Sequence, residues 1–254
     1  MCSEAQLIGR AQELSMKGLP DISRRAELPE LMEELSSYEG LRRYLLDLRR
    51  VNRMCFVYRP TLRWLEQFVH LASAERPLHI VDVGCGGGDV LRRIEGWAAQ
   101  RRLPVRLAGV DMNPLVIRAA REFTSAGSKI QWIVGRSDSP EMAAEPIDLV
   151  ISSHFTHHLA DDELVHFLSW MERVARRGWF INDLYRSRMS YFEFKVLSAA
   201  ARWHRLVRYD GPVSVLRSFL PAEWKQYAVA SGLSPDSVSI DSHWPGRLCV
   251  ARVK

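Results

Sequence analysis

A glycine-rich stretch at residues 81–88 is the part of the sequence best suited to hold a ligand. Four glycines, Gly84 and Gly86 to Gly88, follow a short β-branched run, Leu78–Val83. Glycine permits the tight turn and the positive φ angles that let a backbone approach a ligand closely. The free N–H groups of the helix expected next favour a negatively charged group there. This spacing predicts a ligand site at the turn from strand to helix.

Asp111 stands where a second predicted strand ends. A carboxylate at that place can accept hydrogen bonds from both hydroxyls of a ribose, so a nucleoside-type cofactor is expected. Dinucleotide binding is the competing interpretation, and it requires a small residue where Asp89 stands. The carboxylate of Asp89 would face a pyrophosphate unfavourably, so a ligand without phosphates fits better.

Three histidines, His154, His157 and His158, follow the fourth predicted strand. Open α/β sheets bind ligands at the carboxyl ends of their strands, and an imidazole can deprotonate a phenol or enol near neutral pH. We therefore expect a catalytic base here, His157 before His154, unless these residues only cap the loop or pack beneath the cofactor. Asp183, at the end of the fifth strand, could orient a substrate hydroxyl or a histidine, or it could begin the next helix.

The sequence predicts no metal site. Asp161 and Asp162 lie near the histidines, but they serve equally well as caps of the following helix. Four scattered cysteines lack C-x-x-C spacing, which is typical of reduced thiols in a cytosolic protein rather than of a disulfide framework or a zinc site: Cys2, Cys55, Cys85 and Cys249.

Alternating strands and helices must position these residues. The hydrophobic pattern predicts strands at Leu78–Val83 and at 105–110, 130–134, 147–152 and 179–182, with helices between them. Such alternation implies a doubly wound parallel sheet with right-handed crossovers. Two further strands, at 237–240 and 247–253, are joined by a short turn and must therefore be antiparallel to each other.

Helical segments flank this sheet. Residues 1–75 are predicted to form an N-terminal helical cap, and residues 76–254 the sheet domain. An aromatic insertion at residues 184–220 is expected to act as a lid over an acceptor pocket, although core packing explains the same residues. Its excess of cations indicates a solvated face, or contact with an anionic acceptor, a carrier or a membrane surface: Arg186, Arg188, Lys195, Arg202, Arg205, Arg208 and Arg217.

Composition is that of an ordinary globular chain. Apolar residues make up 47% of the 254 residues and charged residues 26%, with a net charge of +5. No apolar run approaches the roughly 20 residues that span a bilayer, and the N-terminus lacks the apolar centre of a secretion signal. A cytoplasmic location is expected.

Residues 78–253 resemble the class I S-adenosylmethionine-dependent methyltransferases. The resemblance implies a Rossmann-like, seven-stranded, mostly parallel sheet with a C-terminal antiparallel hairpin. It implies S-adenosylmethionine as methyl donor and S-adenosylhomocysteine as product. The implied donor site comprises Asp82, Gly84, Gly86 and Gly88 beside the methionine moiety, Asp111 on the ribose, Met112 and Asp138 at the adenine, and Ser153. Arg59, or Arg53, is a candidate for binding the carboxylate of the methyl donor.

The segment at residues 152–159, with its consecutive His157 and His158, resembles the stretch after strand four in quinone and other small-molecule methyltransferases. We therefore expect O-methylation of a hydrophobic aromatic, polyketide-like or quinone-like molecule, with C-methylation of a similar ring as the nearest alternative. An RNA methyltransferase is a rival because of the basic surplus, but no added RNA-binding module is evident, so nucleic acid is not the expected partner. A non-catalytic cofactor-binding protein is a third hypothesis.

Overall fold

The computed structural model describes residues 6–7, 9, 20–35, 37–139, 145–201 and 203–254. The residues outside this description include Cys2, Arg202 and most of the N-terminal stretch, which was expected to lack a secretion signal. Within them, the strands are β1 Leu78–Val83, β2 Val105–Asp111, β3 Gln131–Val134, β4 Ile147–Ser153, β5 Ala175–Leu184, β6 Ser239–His243 and β7 Arg247–Val253.

One seven-stranded sheet contains all of these strands, in the order β3-β2-β1-β4-β5-β7-β6. β1 lies between β2 and β4 and is parallel to both, and β5 continues the parallel part. β7 pairs antiparallel with both β5 and β6. The predicted seven-stranded sheet with its antiparallel C-terminal pair is confirmed. Because the parallel strands all end at one edge, their terminal residues meet there.

The helices are α1 Tyr38–Met54, α2 Tyr58–Leu65, α3 Asp89–Gln100, α4 Pro114–Glu122, α5 Asp161–Val174, α6 Arg188–Ala200, α7 Arg205–Arg217 and α8 Pro221–Ala230. Short 3-10 turns occupy Leu31–Glu34, Glu66–Leu71, Thr156–His158 and Pro235–Ser237. Every helix among the described residues is too short or too polar to cross a bilayer.

Three element boundaries differ from the sequence-based expectation. Within the predicted helical cap, a new helix begins at Tyr38, because the Ser37 side chain accepts a hydrogen bond from the Gly40 N–H. The aromatic insertion holds two helices, since His204 caps the start of α7. The N-cap of α5 is Ala160 rather than Asp161 or Asp162, and the Glu163 side chain accepts from its N–H at 2.9 Å.

Both faces of the sheet are covered. Successive residues of a strand point to opposite faces, so Trp179 joins the apolar cluster beneath α5 and α8. Its neighbour Phe180 joins the cluster beneath α2 and α3, where its ring stacks on Trp64 with centroids 5.2 Å apart. A further cluster joins α1, α4 and α7 above the carboxyl ends of the strands. The cap and the insertion therefore meet over the edge where the candidate site residues lie.

Candidate active site

A cavity of about 930 Å³ opens at the carboxyl ends of β1, β2, β4 and β5. Ligand pockets in proteins typically measure roughly 300–1,000 Å³, so this one has room for two bound molecules. Its walls bring together the glycine loop, the strand-end acids, the histidine segment and the helices α1, α6 and α7.

The glycine loop forms the floor of one half of the cavity. Gly84 and Gly86 have φ angles of +67° and +52° and both line the cavity. A Cβ atom on Gly86 would meet no atom within 4 Å, so this loop leaves open space beside its backbone. Gly88 is absent from the described lining. It caps α3 with a φ of +74°, and a Cβ there would come within 2.2 Å of the Trp132 ring. Its glycine therefore serves helix packing rather than direct ligand contact.

Asp82 and Asp111 place two carboxyl groups beside this loop. Asp82 is buried, and neither of its carboxyl oxygens has a hydrogen-bond partner among the described residues. Burial, with the charges of Asp89 and Asp111, raises its pKa well above the ordinary value. Asp111 accepts hydrogen bonds from the N–H groups of Gly86 and Asn113, at 3.2 and 3.0 Å. An unpaired buried carboxyl group is costly, so a hydrogen-bond donor from a ligand would stabilise Asp82.

Asp89 connects this half of the cavity to the N-terminal helices. Its Oδ2 atom accepts hydrogen bonds from the Tyr58 hydroxyl at 2.7 Å and from the Asn52 side-chain amide at 3.0 Å. Asp89, Asn52 and residues 84–87 of the glycine loop line the cavity. A carboxylate at the start of α3 is unsuited to a pyrophosphate, which supports a ligand without phosphates.

The other residues expected to bind the methyl donor divide into two pairs. Met112 and Ser153 line the cavity, and the buried Ser153 hydroxyl has no hydrogen-bond partner in the described part of the chain. Asp138 is exposed and pairs with Arg136 at 3.4 Å, outside the lining. Arg59 is also exposed, and its guanidinium lies over an aromatic side chain of its own turn. The resemblance implied that Asp138 and Arg59 contact the methyl donor. The structure places both outside the described lining of the cavity.

His157 lies buried between two carboxylates. Its Nδ1 is 2.7 Å from Asp183 Oδ1, and its Nε2 is 3.4 Å from Glu30 Oε1. Burial alone would lower the pKa of His157, but these two carboxylates raise it to about 9. With no metal bound, the ring is therefore an imidazolium at neutral pH. This environment counts against the expected role of His157 as a general base, because a base needs a free lone pair. Asp183 is buried behind the ring and does not line the cavity, so it can only position His157.

His158 continues this cluster towards the cavity. Its Nδ1 is 2.7 Å from Glu33 Oε1, and its Nε2 is 3.8 Å from Glu30 Oε2. Burial would raise the pKa of Glu30, but His158, His157 and Arg217 hold it at about 2. Glu30 is thus a buried carboxylate, and the Ser214 hydroxyl donates to its Oε1 at 2.9 Å.

His154 occupies a separate polar corner of the cavity. Its φ angle is +53°, and its N–H donates to the Asn182 carbonyl at 3.1 Å. Burial and the charge of Arg247 hold the pKa of His154 well below its ordinary value, so the ring is neutral and its Nε2 can accept from the Arg247 guanidinium. Arg247 is buried and lines the cavity, and its Nη2 has no partner among the described residues.

The remaining walls are apolar. Helices α6 and α7 of the aromatic insertion supply part of this surface, and α1 supplies another part. The apolar lining comprises Leu45, Leu48, Phe155, Phe167, Phe194, Leu197, Val207 and Val215.

Comparison with known proteins agrees with this geometry. Residues 80–178 match a family model described as a methyltransferase domain. The chain is 33% identical to the ubiquinone biosynthesis O-methyltransferase of Methylobacterium sp. (strain 4-46) over 85 residues, 33% of this chain and 32% of that protein. It is 28% identical to the ajmaline N-methyltransferase of Rauvolfia serpentina over 41% of this chain and 34% of that protein. The chain therefore spans about a third of the length of these curated relatives.

Among solved structures, the plantazolicin methyltransferase BpumL in complex with S-adenosylhomocysteine superimposes with a TM-score of 0.57. The match has 15% identity and covers 88% of this chain and 97% of that one. Residues 80–178 are thus a methyltransferase domain, and the sheet has the fold of the class I S-adenosylmethionine-dependent methyltransferases.

This methyltransferase fold accounts for the sheet order and for the position of the glycine loop. It does not account for Glu30, Glu33, Arg217 and Arg247, which the sequence alone did not single out as site residues. Glu30 belongs to no periodic pattern, and Arg247 reads as the first residue of a strand. In these cases the only signal was a charge next to apolar neighbours.

Proposed function

We propose that this methyltransferase-family chain transfers a methyl group from S-adenosylmethionine to a hydroxyl oxygen of a hydrophobic aromatic, polyketide-like or quinone-like molecule. The observation that carries the proposal is the cavity, which joins a donor half around Asp82 and Asp111 to an apolar half beneath α1, α6 and α7. Both ligands of a methyl transfer can lie in it side by side.

The donor half fits S-adenosylmethionine. The unpartnered carboxyl of Asp82 would accept a hydrogen bond from the ammonium of the methionine moiety, which is the donor that Asp82 lacks. Asp111 would accept from the ribose hydroxyls, and Met112 would lie against the adenine. The space beside the Gly86 backbone leaves room for the methionine moiety of the ligand. Bound there, the cofactor supplies an electrophilic methyl group on a sulfonium centre and leaves as S-adenosylhomocysteine.

The apolar half fits the acceptor. Methyl transfer requires the acceptor atom to lie in line with the methyl–sulfur bond, so catalysis depends mainly on alignment and the exclusion of water. The rings of Phe155 and Phe194 and the neighbouring aliphatic side chains would hold an aromatic molecule. The unpartnered Nη2 of Arg247 would bind one of its oxygens. The acceptor hydroxyl would then face the histidine segment, where His154 is neutral and His157 and His158 are held by carboxylates.

Carbon methylation of a similar ring is the alternative, because the same cavity would hold an enolate. The experiment is to incubate the pure chain with a methyl-labelled donor and an extract of the host, and to identify the labelled product by mass spectrometry and NMR. We expect label on an apolar small molecule with the chemical shift of an O-methyl carbon. Label on carbon would replace the O-methylation proposal, and label on RNA would refute both.

A further inference from the structure

Three side chains bring potential metal ligands together in the cavity wall. One ligand atom each from Glu30, His157 and His158 all lie within 4.8 Å of one another. The contacts of Glu30, at 3.4 Å from His157 Nε2 and 3.8 Å from His158 Nε2, are too long for good hydrogen bonds. Ligand atoms about 2.1 Å from one ion lie about 3.0–3.4 Å apart in octahedral or tetrahedral geometry. The three ligand atoms, now within 4.8 Å of one another, would have to move together by up to about 1.5 Å to bind one ion.

Two further carboxylates orient the imidazole rings of His157 and His158. Asp183 Oδ1 lies 2.7 Å from Nδ1 of His157, and Glu33 Oε1 lies 2.7 Å from Nδ1 of His158. Metal-binding histidines almost always donate their second ring N–H to a carboxylate, a carbonyl or water, which fixes the tautomer and directs the other nitrogen to the ion. Here both rings have this arrangement, and both direct Nε2 towards the same carboxylate of Glu30.

We propose that Glu30, His157 and His158 bind one divalent first-row transition-metal ion in the wall of the cavity. Two histidines and one carboxylate are a ligand set that such ions accept with positions left open for other ligands. The negative charges of Glu30, Glu33 and Asp183 favour a cation. Arg217 opposes it, because its guanidinium lies 4.0 Å from Glu30 and 3.7 Å from Glu33.

This site departs from the sequence-based expectation of no metal. That expectation weighed Asp161 and Asp162 as ligands, whereas the structure supplies the carboxylate from Glu30, which precedes the histidines by more than a hundred residues. Glu30 and His157 are each only 2% exposed, and the His158 side chain is 25% exposed. All three residues line the cavity and His158 is the most exposed of them, so an ion held there would be accessible from the cavity.

An ion in the wall of the cavity could bind the acceptor hydroxyl. An acceptor hydroxyl bound to a divalent cation loses its proton more readily than a free one, so no neutral histidine base is needed. This role rests on the proposed function, whereas metal binding itself does not.

Cobalt(II) binding to the tag-free, chelator-treated full chain tests the site, followed by visible absorption and by metal analysis after dialysis. We expect one Co²⁺ per chain with d–d bands. His158→Gln and Glu30→Gln should abolish stoichiometric binding, and Glu33→Gln should weaken it about 10- to 100-fold, the usual effect of removing an orienting carboxylate. His70→Ala, which removes an exposed histidine outside the cavity, should bind Co²⁺ like the wild type. Circular dichroism and calorimetric S-adenosylhomocysteine affinity would show that the His158→Gln variant is folded.

Absence of Co²⁺ from the wild-type chain would overturn the proposal. Equal Co²⁺ affinity in wild type, Glu30→Gln and His158→Gln would also overturn it, because the ion would then lie elsewhere. Loss of the d–d bands in the variants, together with unchanged S-adenosylhomocysteine affinity in His158→Gln, supports the site. Stoichiometric metal with no donor binding would refute the proposed function and leave the metal site standing.

Discussion

Asp183 holds His157 by two hydrogen bonds, one from the side chain and one from the backbone. The ring Nδ1 is 2.7 Å from Oδ1, and the His157 N–H donates to Oδ2 at 3.1 Å. The Thr156 hydroxyl donates to the same Oδ2 at 2.5 Å. The end of β5 therefore sets the orientation of the imidazole that follows β4, and Asp183 acts as a positioning residue.

Asp183→Ala should lower the free energy of unfolding of the metal-free chain by about 3–5 kcal/mol, because removing one partner of a buried ion pair leaves an uncompensated charge. Urea denaturation would measure the change. Asp161→Ala removes an aspartate that is paired with Arg25 but has a 72% exposed side chain, and it should change stability little. Equal effects of the two substitutions would show that His157 does not depend on its pairing with Asp183.

Asp111→Asn should weaken S-adenosylhomocysteine binding about 10- to 100-fold, since a hydrogen bond to a charged group contributes about 1.5–3 kcal/mol. Isothermal titration calorimetry would give the affinity. Asp138→Asn is the matched control, because Asp138 is exposed and lies outside the cavity lining. If Asp138→Asn weakened binding and Asp111→Asn did not, the donor would lie differently in the cavity.

Asp82→Asn should stabilise the ligand-free chain, and more so at higher pH. The folded pKa of Asp82 lies well above the ordinary value of 3.8 because of burial and the charges of Asp89 and Asp111. The folded chain thus keeps a proton that the unfolded chain releases, so wild-type stability falls as pH rises from about 4. Urea denaturation at pH 5 and pH 7.5 would compare the two proteins. A stability difference independent of pH would contradict the raised pKa.

Phe194→Ala should raise the KM for the acceptor while leaving S-adenosylhomocysteine affinity unchanged, because Phe194 lines the apolar half of the cavity. Steady-state kinetics with the acceptor identified by labelling would measure it. Phe192→Ala removes a ring that is 40% exposed and outside the lining, and should leave both values unchanged. A loss of donor affinity in Phe194→Ala would show that the two halves are not separate.

Most of the fold could be predicted from local patterns. The run Leu78–Val83 is β-branched and ends in glycines, so its strand and the following turn were evident, and the antiparallel tail followed from its short connection. The start of β5 was missed because Arg176 and Arg177 interrupt the apolar pattern. Within the helical cap, a new helix begins after Ser37 because one side-chain hydrogen bond stabilises its N-terminus, which periodicity cannot show.

The site was predictable only where its residues adjoin strand ends. Asp82, Asp111 and the histidines follow strands directly, so their convergence follows from the parallel topology. Glu30 reaches His157 through tertiary packing, with Asp210 accepting hydrogen bonds from the N–H groups of the 3-10 turn that follows Glu30. No local rule gives that contact. Asp138 and Arg59 were placed by family resemblance, which does not fix where individual side chains point.

The walls of the cavity belong to two different parts of the fold. The glycine loop and the acids of β1 and β2 belong to the sheet, whereas Leu45, Phe194 and Val207 project from helices outside it. Substituting these helical side chains should therefore change the shape of the acceptor that the cavity binds, while the binding of the methyl donor is unchanged.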